Sequence, residues 1–225
     1  VPARVLILAA FHPELDPLRT ALGDSLVGSV AGLSVTARVA GIGLAAAAAG
    51  AAVHIAELRP DAVVLIGSCG AYASAGLAIG DVVVGRRLHL VDLSSLAGHA
   101  EFPEPIAVVL DADAALTEGL SADGTRTCSV ATTLAITVDD SIASRISNQV
   151  DVQIEHLEAH GVATACSSLR VAFAMTLGVA NMVGARGRGE WRAHHSIAEA
   201  AAATRVMRWL ESGAPGAFSL APSRL

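Results

Sequence analysis

Two carboxylates stand at points in the chain where a side chain could meet a ligand. Glu14 follows an apolar run, in Ala9-Ala10-Phe11-His12-Pro13-Glu14-Leu15, and Glu158 opens a stretch free of Asp, Glu and Arg until Arg170. Glu14 is either a first-turn carboxylate favoured by a helix dipole or a group aimed at a ligand. Glu158 starts a largely apolar helix, where burial is costly unless the charge is paired or serves a ligand. Two glycine turns, Gly41-Ile42-Gly43 and Gly67-Ser68-Cys69-Gly70, complete the set. Glycines at strand ends let the backbone approach a ligand and present N–H groups, although such turns also serve as plain turns. The first turn is not a dinucleotide fingerprint, because Ala46 stands where the third glycine of GxGxxG belongs.

Other chemistries are excluded by what is missing. All 15 basic residues are arginine. Without lysine there is no Walker A lysine, Schiff base or pyridoxal-phosphate attachment, and no cofactor is expected. His156 and His160 lie four apart and His194 and His195 are adjacent, but no HExxH-type carboxylate accompanies them, so no metal site is expected. Cys69, Cys128 and Cys166 are widely spaced without a CxxC and read as reduced, buried small residues. A net charge of −6, with no basic cluster beyond Arg86-Arg87 and Arg186/Arg188, argues against a nucleic-acid partner. No apolar run approaches the ~18 residues of a membrane span, and Val5 to Ala10 is too short for a signal segment, so a cytoplasmic protein is expected.

The elements that must position these residues follow from hydrophobic patterning. Apolar Val/Ile/Leu runs alternate with alanine-rich helical stretches, as in a sheet covered on both faces. Strands are predicted over 4–10, 33–40, 62–66, 80–90 and 172–180, with strand-like β-branched residues over 125–138. Helices are predicted over about 13–22, from Gly43 to about Leu58, after Asp139 or Asp140, over 158–169, and over 191–210 with Ile197, Ala201, Val206 and Leu210 inward. Residues 94–105 read as a mobile loop. One α/β domain over 1–212 is expected, with 213–225 a poorly ordered tail.

The run Glu155 to Trp191, EHLEAHGVATACSSLRVAFAMTLGVANMVGARGRGEW, resembles the futalosine hydrolase pattern of MEGxGVA, a strand ending in SN, then VGxRDRxxW. AAFHPELDPLR is similar to the GAMEEEVxxLR of methylthioadenosine nucleosidases. AGIGLAAAA and PDAVVLIGSCGAYASAGLAIGDVVV resemble the GIG and GSAGGL...GDVVV segments of the nucleoside phosphorylase and nucleosidase superfamily. The resemblance covers nearly the whole chain and is weakest from Asp92 to Thr125. It implies a three-layer α/β/α fold with a central mixed, mostly parallel sheet, and a homodimer or larger assembly. The implied activity is hydrolysis of the N-glycosidic bond of a purine nucleoside, futalosine in menaquinone biosynthesis.

Carried over by position, the resemblance makes Glu14 the carboxylate that activates water. Ser68 and Gly70 fall in the turn lining the ribosyl site, with Gly43 in the other ligand turn. Glu158 takes the ribose hydroxyls, Leu157 replaces a methionine under the sugar, and Asn181 faces the purine. An N-glycosidic cleavage passes through an oxocarbenium-like sugar and needs a carboxylate for the water, an acceptor for the sugar hydroxyls and a means of neutralising the departing base, which Glu14, Glu158 and Asn181 would supply. Asparagine at 181 instead of aspartate suits a 6-oxopurine, since an amide donates to O6 and accepts from a protonated N7. The chain departs from the family at Leu177, where nucleosidases carry arginine, and at Gly187, where RDR carries aspartate. A phosphorylase would replace the Glu14 segment with a glycine-and-arginine phosphate loop. An adenine-type nucleosidase is disfavoured by Asn181, and a purine nucleoside binding protein without turnover is kept open by Leu177 and Gly187.

Overall fold

Every residue from Val5 to Ala9 is buried, and the run divides by parity: Leu6 and Leu8 join one aliphatic core, Val5, Ile7 and Ala9 another. A strand apolar on both sides must be covered on both sides. The computed structural model, which describes residues 3–218, shows that cover.

In chain order, β1 (Arg4–Ala9) leads through a 3-10 segment (His12–Leu18) to α1 (Arg19–Leu22), β2 (Val27–Val30), β3 (Leu33–Val39) and α2 (Leu44–Leu58). Then come β4 (Ala62–Ala71), a 3-10 turn (Ala73–Ala75), β5 (Val82–Leu90), α3 (Leu93–Leu96), β6 (Val109–Asp111) and α4 (Ala114–Ser121). The last part holds β7 (Arg126–Thr132), α5 (Asp140–Val150), β8 (Ile154–Glu155), α6 (Ala159–Leu169), β9 (Ala172–Met182) and α7 (Gly187–Glu211). The sheet runs β2-β3-β1-β4-β8-β7-β5-β6, and β9 pairs with both β4 and β5. Parallel pairings join β1 to β3 and β4, β4 to β9, and β7 to β5 and β8; the others are antiparallel. One consequence is a closed circuit of strands, β4-β8-β7-β5-β9. Helices α2 and α6 cover one face; α4, α7 and the 3-10 segment cover the other, giving the expected three layers around a mixed sheet.

The elements differ from expectation in several places. The helix predicted from Pro13 to Leu22 is a 3-10 segment followed by a single α turn, with Pro17 inside it denying a donor to continuous α-helix. β4 runs on through the Gly67–Gly70 turn to Ala71, because that stretch pairs with β9 across a bulge between Cys69 and Gly70. The β-branched run stops at Thr132, and Asp139 caps α5 by accepting from Ser141 N and Ile142 N. Ile197 is 65% exposed; the inner side of α7 is instead Ala198, Ala202, Val206, Trp209 and Leu210. The turn residues at the start of the expected tail are packed. Ala214 and Ala217 are buried, and Trp209 Nε1 donates to Pro215 O at 3.0 Å. The remaining tail, 219–225, lies outside the described residues.

Two features of the fold prepare the site. Gly161 on α6 faces α2 so closely that a Cβ there would overlap Leu44 O, which draws the N-terminal ends of the two helices together. The register of β4 on β9 sets Gly70 opposite Asn181. All three cysteines are free and buried, and among the described residues no helix is long and apolar enough to cross a membrane.

Candidate active site

Glu14 hangs from the 3-10 segment beneath the C-terminal ends of two neighbouring strands. Ala10 N, just past β1, donates to Oε2 at 2.9 Å, and Ser68 N, within β4, donates to Oε1 at 3.1 Å. Gly67 makes room for this clasp, because a Cβ there would stand 2.5 Å from Oε1. The carboxyl is 2% exposed. Burial raises its pKa to about 8, against the two backbone donors that lower it; the nearby charges of Glu199 and Glu158 add to the rise.

Glu158 arrives from the other side of the sheet, at the entrance to α6. Gly43 N, at the start of α2, donates to Oε1 at 2.8 Å, and His156 Nδ1 lies 3.3 Å from Oε2. The close packing of α6 on α2 at Gly161 makes that backbone contact possible.

Asn181, at the end of β9, donates from Nδ2 to Met182 O at 2.9 Å. A carbonyl accepts only from the NH₂ end, so this bond fixes the amide's orientation. It leaves one N–H and Oδ1 uncommitted. A Cβ on Gly187 would meet Met182 O at 2.9 Å and Asn181 Nδ2 at 3.0 Å, so a side chain at 187 would crowd the amide.

Trp191, in the first turns of α7, donates from Nε1 to Ser68 Oγ at 3.0 Å. Its indole stacks on His195 with centroids 4.4 Å apart and planes at 17°, and Phe11 stands 6.3 Å away. Behind it His195 Nδ1 meets Glu199 Oε1 at 3.0 Å.

These groups share one cavity of about 450 Å³. Glu14, Ser68, Gly70, Leu157, Glu158 and Asn181 all line it. Gly43 does not; it stands behind Glu158 as its backbone donor. The walls also include Phe11, Ile42, Ile136, Glu155, His156, Arg188, Trp191 and Arg192, none of which the sequence singled out as site residues. Phe11, His156 and Trp191 do fall within the family-like motifs. Glu155 accepts at Oε2 from Tyr72 Oη at 3.0 Å and Thr137 Oγ1 at 2.6 Å, and at Oε1 from Thr137 N at 3.1 Å, so its oxygens are engaged within the wall. Leu177, in place of the family's arginine, is absent from the cavity and packs in the aliphatic core with Val83 and Val130. A second cavity of about 490 Å³, by α5 and Val183, has Asp140 as its one carboxylate, and Asp140 is already accepting from Ala185 N.

The arrangement offers a buried, mostly protonated carboxyl and a second carboxylate, each clasped by backbone N–H, with an oriented amide on the same cavity. No curated protein matches the chain in sequence. Among solved structures it is similar to the 5'-methylthioadenosine/S-adenosylhomocysteine nucleosidase of Neisseria meningitidis in complex with methylthio-immucillin-A. That likeness has 22% identity, 93% of this chain and 99% of the other covered, and a TM-score of 0.82. The futalosine hydrolase of Helicobacter pylori is similar at 14% identity, with 93% and 98% covered and a TM-score of 0.84. The methylthioadenosine/S-adenosylhomocysteine nucleosidase of Colwellia psychrerythraea, in complex with adenine, is similar at 20% identity, with 96% and 97% covered and a TM-score of 0.82. At these identities the likeness establishes the fold, while the Phosphorylase superfamily matches the sequence itself over residues 2–211. That span takes in every strand and helix from β1 to α7, and the chain belongs to the phosphorylase superfamily.

Proposed function

We propose that the chain hydrolyses the N-glycosidic bond of a 6-oxopurine nucleoside, with futalosine as the substrate. The observation that carries this reading is the clasp on Glu14. The backbone N–H groups of Ala10 and Ser68, at the strand ends where an anion would be welcomed, are already taken by a carboxylate. A phosphate would meet occupied donors and a second acid in Glu158; a water would meet a base. The ligands of the solved relatives, methylthio-immucillin-A and adenine, support a purine-sized occupant.

In this reading Glu14, once ionised, takes a proton from the attacking water as the sugar acquires oxocarbenium character. Glu158 accepts from the ribose 2′ and 3′ hydroxyls and so holds the sugar while electron density leaves its ring. Asn181 meets the departing base with its free N–H toward O6 and Oδ1 toward a protonated N7. Ser68 keeps its hydroxyl proton for the cavity, because Oγ accepts from Trp191.

The test is release of free base from futalosine, inosine and methylthioadenosine, each with and without phosphate. Phosphate-independent release of hypoxanthine, fastest from futalosine, is the expected result. Release that requires phosphate, or that favours adenine, overturns the reading.

A further inference from the structure

His156 is almost fully buried in the cavity wall, on a main chain anchored by its own N–H to Ala131 O at 2.9 Å. Its Nδ1 lies 3.3 Å from two atoms of one residue, the backbone N and the carboxylate Oε2 of Glu158. A neutral imidazole nitrogen cannot serve both, since it either carries a proton or offers a lone pair. A bare Nδ1 would set its lone pair against the carboxylate oxygen. A protonated Nδ1 forms a hydrogen bond to an ionised acceptor, which is the stronger arrangement. Burial lowers the pKa of the ring, opposed by the charge of Glu158, which favours one proton on the imidazole over two.

We infer that His156 is a positioning residue for Glu158, donating from Nδ1–H to Oε2 while Gly43 N–H holds Oε1, so that the carboxylate presents its remaining lone pairs to a vicinal diol. The two donors approach from different elements, the β8–α6 junction and the start of α2, and together fix the plane of the carboxylate. Glu158 thus needs no cation to hold it. The sugar selectivity of the site then depends on a residue that need not touch the sugar. This inference rests on the proposed role of Glu158 as the acceptor of the ribose hydroxyls.

The first measurement is independent of turnover. In the ¹⁵N spectrum of the intact protein, with His156 identified by difference against His156→Asn, the ring should appear as the neutral Nδ1–H form. A neutral Nε2–H form overturns the inference. The second measurement compares kcat/KM for the cleaved nucleoside and its 2′-deoxy counterpart. His156→Ala should reduce ribonucleoside turnover about ten- to a hundredfold and affect the deoxynucleoside much less, as expected for losing a hydrogen bond to a charged group. His156→Asn, whose amide nitrogen can stand in for Nδ1, should restore most of the preference. In a Glu158→Gln background, His156→Ala should change the ratio little further. If Glu158→Gln itself leaves the ribo/deoxyribo ratio untouched, the proposed role of Glu158 fails. If Glu158→Gln collapses the ratio and His156→Ala does not, the positioning role alone is overturned.

Discussion

Glu14 holds its proton well into the neutral range, and that single fact dictates a pH profile. With a pKa of about 8, roughly one molecule in ten carries the base form at pH 7. With Glu14 as the base of the proposed hydrolysis, kcat/KM should therefore climb with pH and level off above about 8. An acid limb in the ordinary carboxylate range would place the base elsewhere. Glu14→Gln should abolish turnover while leaving nucleoside binding measurable by calorimetry. Asn181 makes a separate forecast. With one N–H committed to Met182 O, the amide offers its other N–H to a 6-oxo group. In Asn181→Asp an acid must spend its one proton on that same carbonyl, leaving only an acceptor toward the base. The 6-oxo to 6-amino ratio of kcat/KM should fall by roughly ten- to a hundredfold, the cost of an unpaired buried polar group. An unchanged ratio, with both proteins active, would show that residue 181 does not read the base.

The approach of α6 to α2 couples packing to chemistry. Gly161→Val would force its side chain onto Leu44 O, so the helices must part. The variant should lose on the order of 1 to 3 kcal/mol of stability, read as a lower unfolding temperature, and should lose activity beyond that because Gly43 N–H withdraws from Glu158. Loss of stability with normal turnover would mean the clasp tolerates the shift. Elements of this kind were unequally legible in the sequence. β1, β3, β9 and α2 announce themselves as long apolar or alanine-rich runs between glycine and proline stops. β2, β6 and β8 are short; β2 folds back on β3 in a tight hairpin and β6 returns along β5, while β8 is made a strand by β4, about 85 residues earlier in the chain, and by β7. The Gly67–Gly70 segment reads as a turn because its glycines dominate, whereas pairing with β9 extends it as strand. Glu14, Ser68, Glu158 and Asn181, which the fold brings to one cavity, were picked out by motif. The contact of Trp191 with Ser68 was not, since 123 residues separate them and only the docking of α7 on β4 brings them together.

Across the whole molecule, buried acids and buried histidines pull stability in opposite directions with pH. Burial raises the pKa of Glu14, Glu155 and Glu199 and lowers that of His89, His156 and His160. Between 4.5 and about 8 the folded chain keeps a proton on Glu14 that the unfolded chain has released, so stability falls as pH rises through that window. Below about 6.5 the unfolded histidines bind protons that the folded ones refuse, so stability also falls as pH drops. Glu14→Gln removes the first effect alone. Its unfolding temperature should gain on the parent's steadily from about pH 5 to about 8 and then run parallel; a constant gap would mean that Glu14 is not proton-bearing in the folded state. The chain contains two tryptophans, and they occupy contrasting surroundings. Trp191 forms part of the cavity wall against a stacked imidazole, while Trp209 is sealed on the inner side of α7 and tied to Pro215 O. The molecule thus carries two intrinsic optical reporters. Emission from Trp191 should respond to an occupant entering the cavity, whereas emission from Trp209 should stay constant until the turn at 213–218 lifts off. Separating them with Trp191→Phe would let one fluorimeter follow ligand capture and core opening as distinct events.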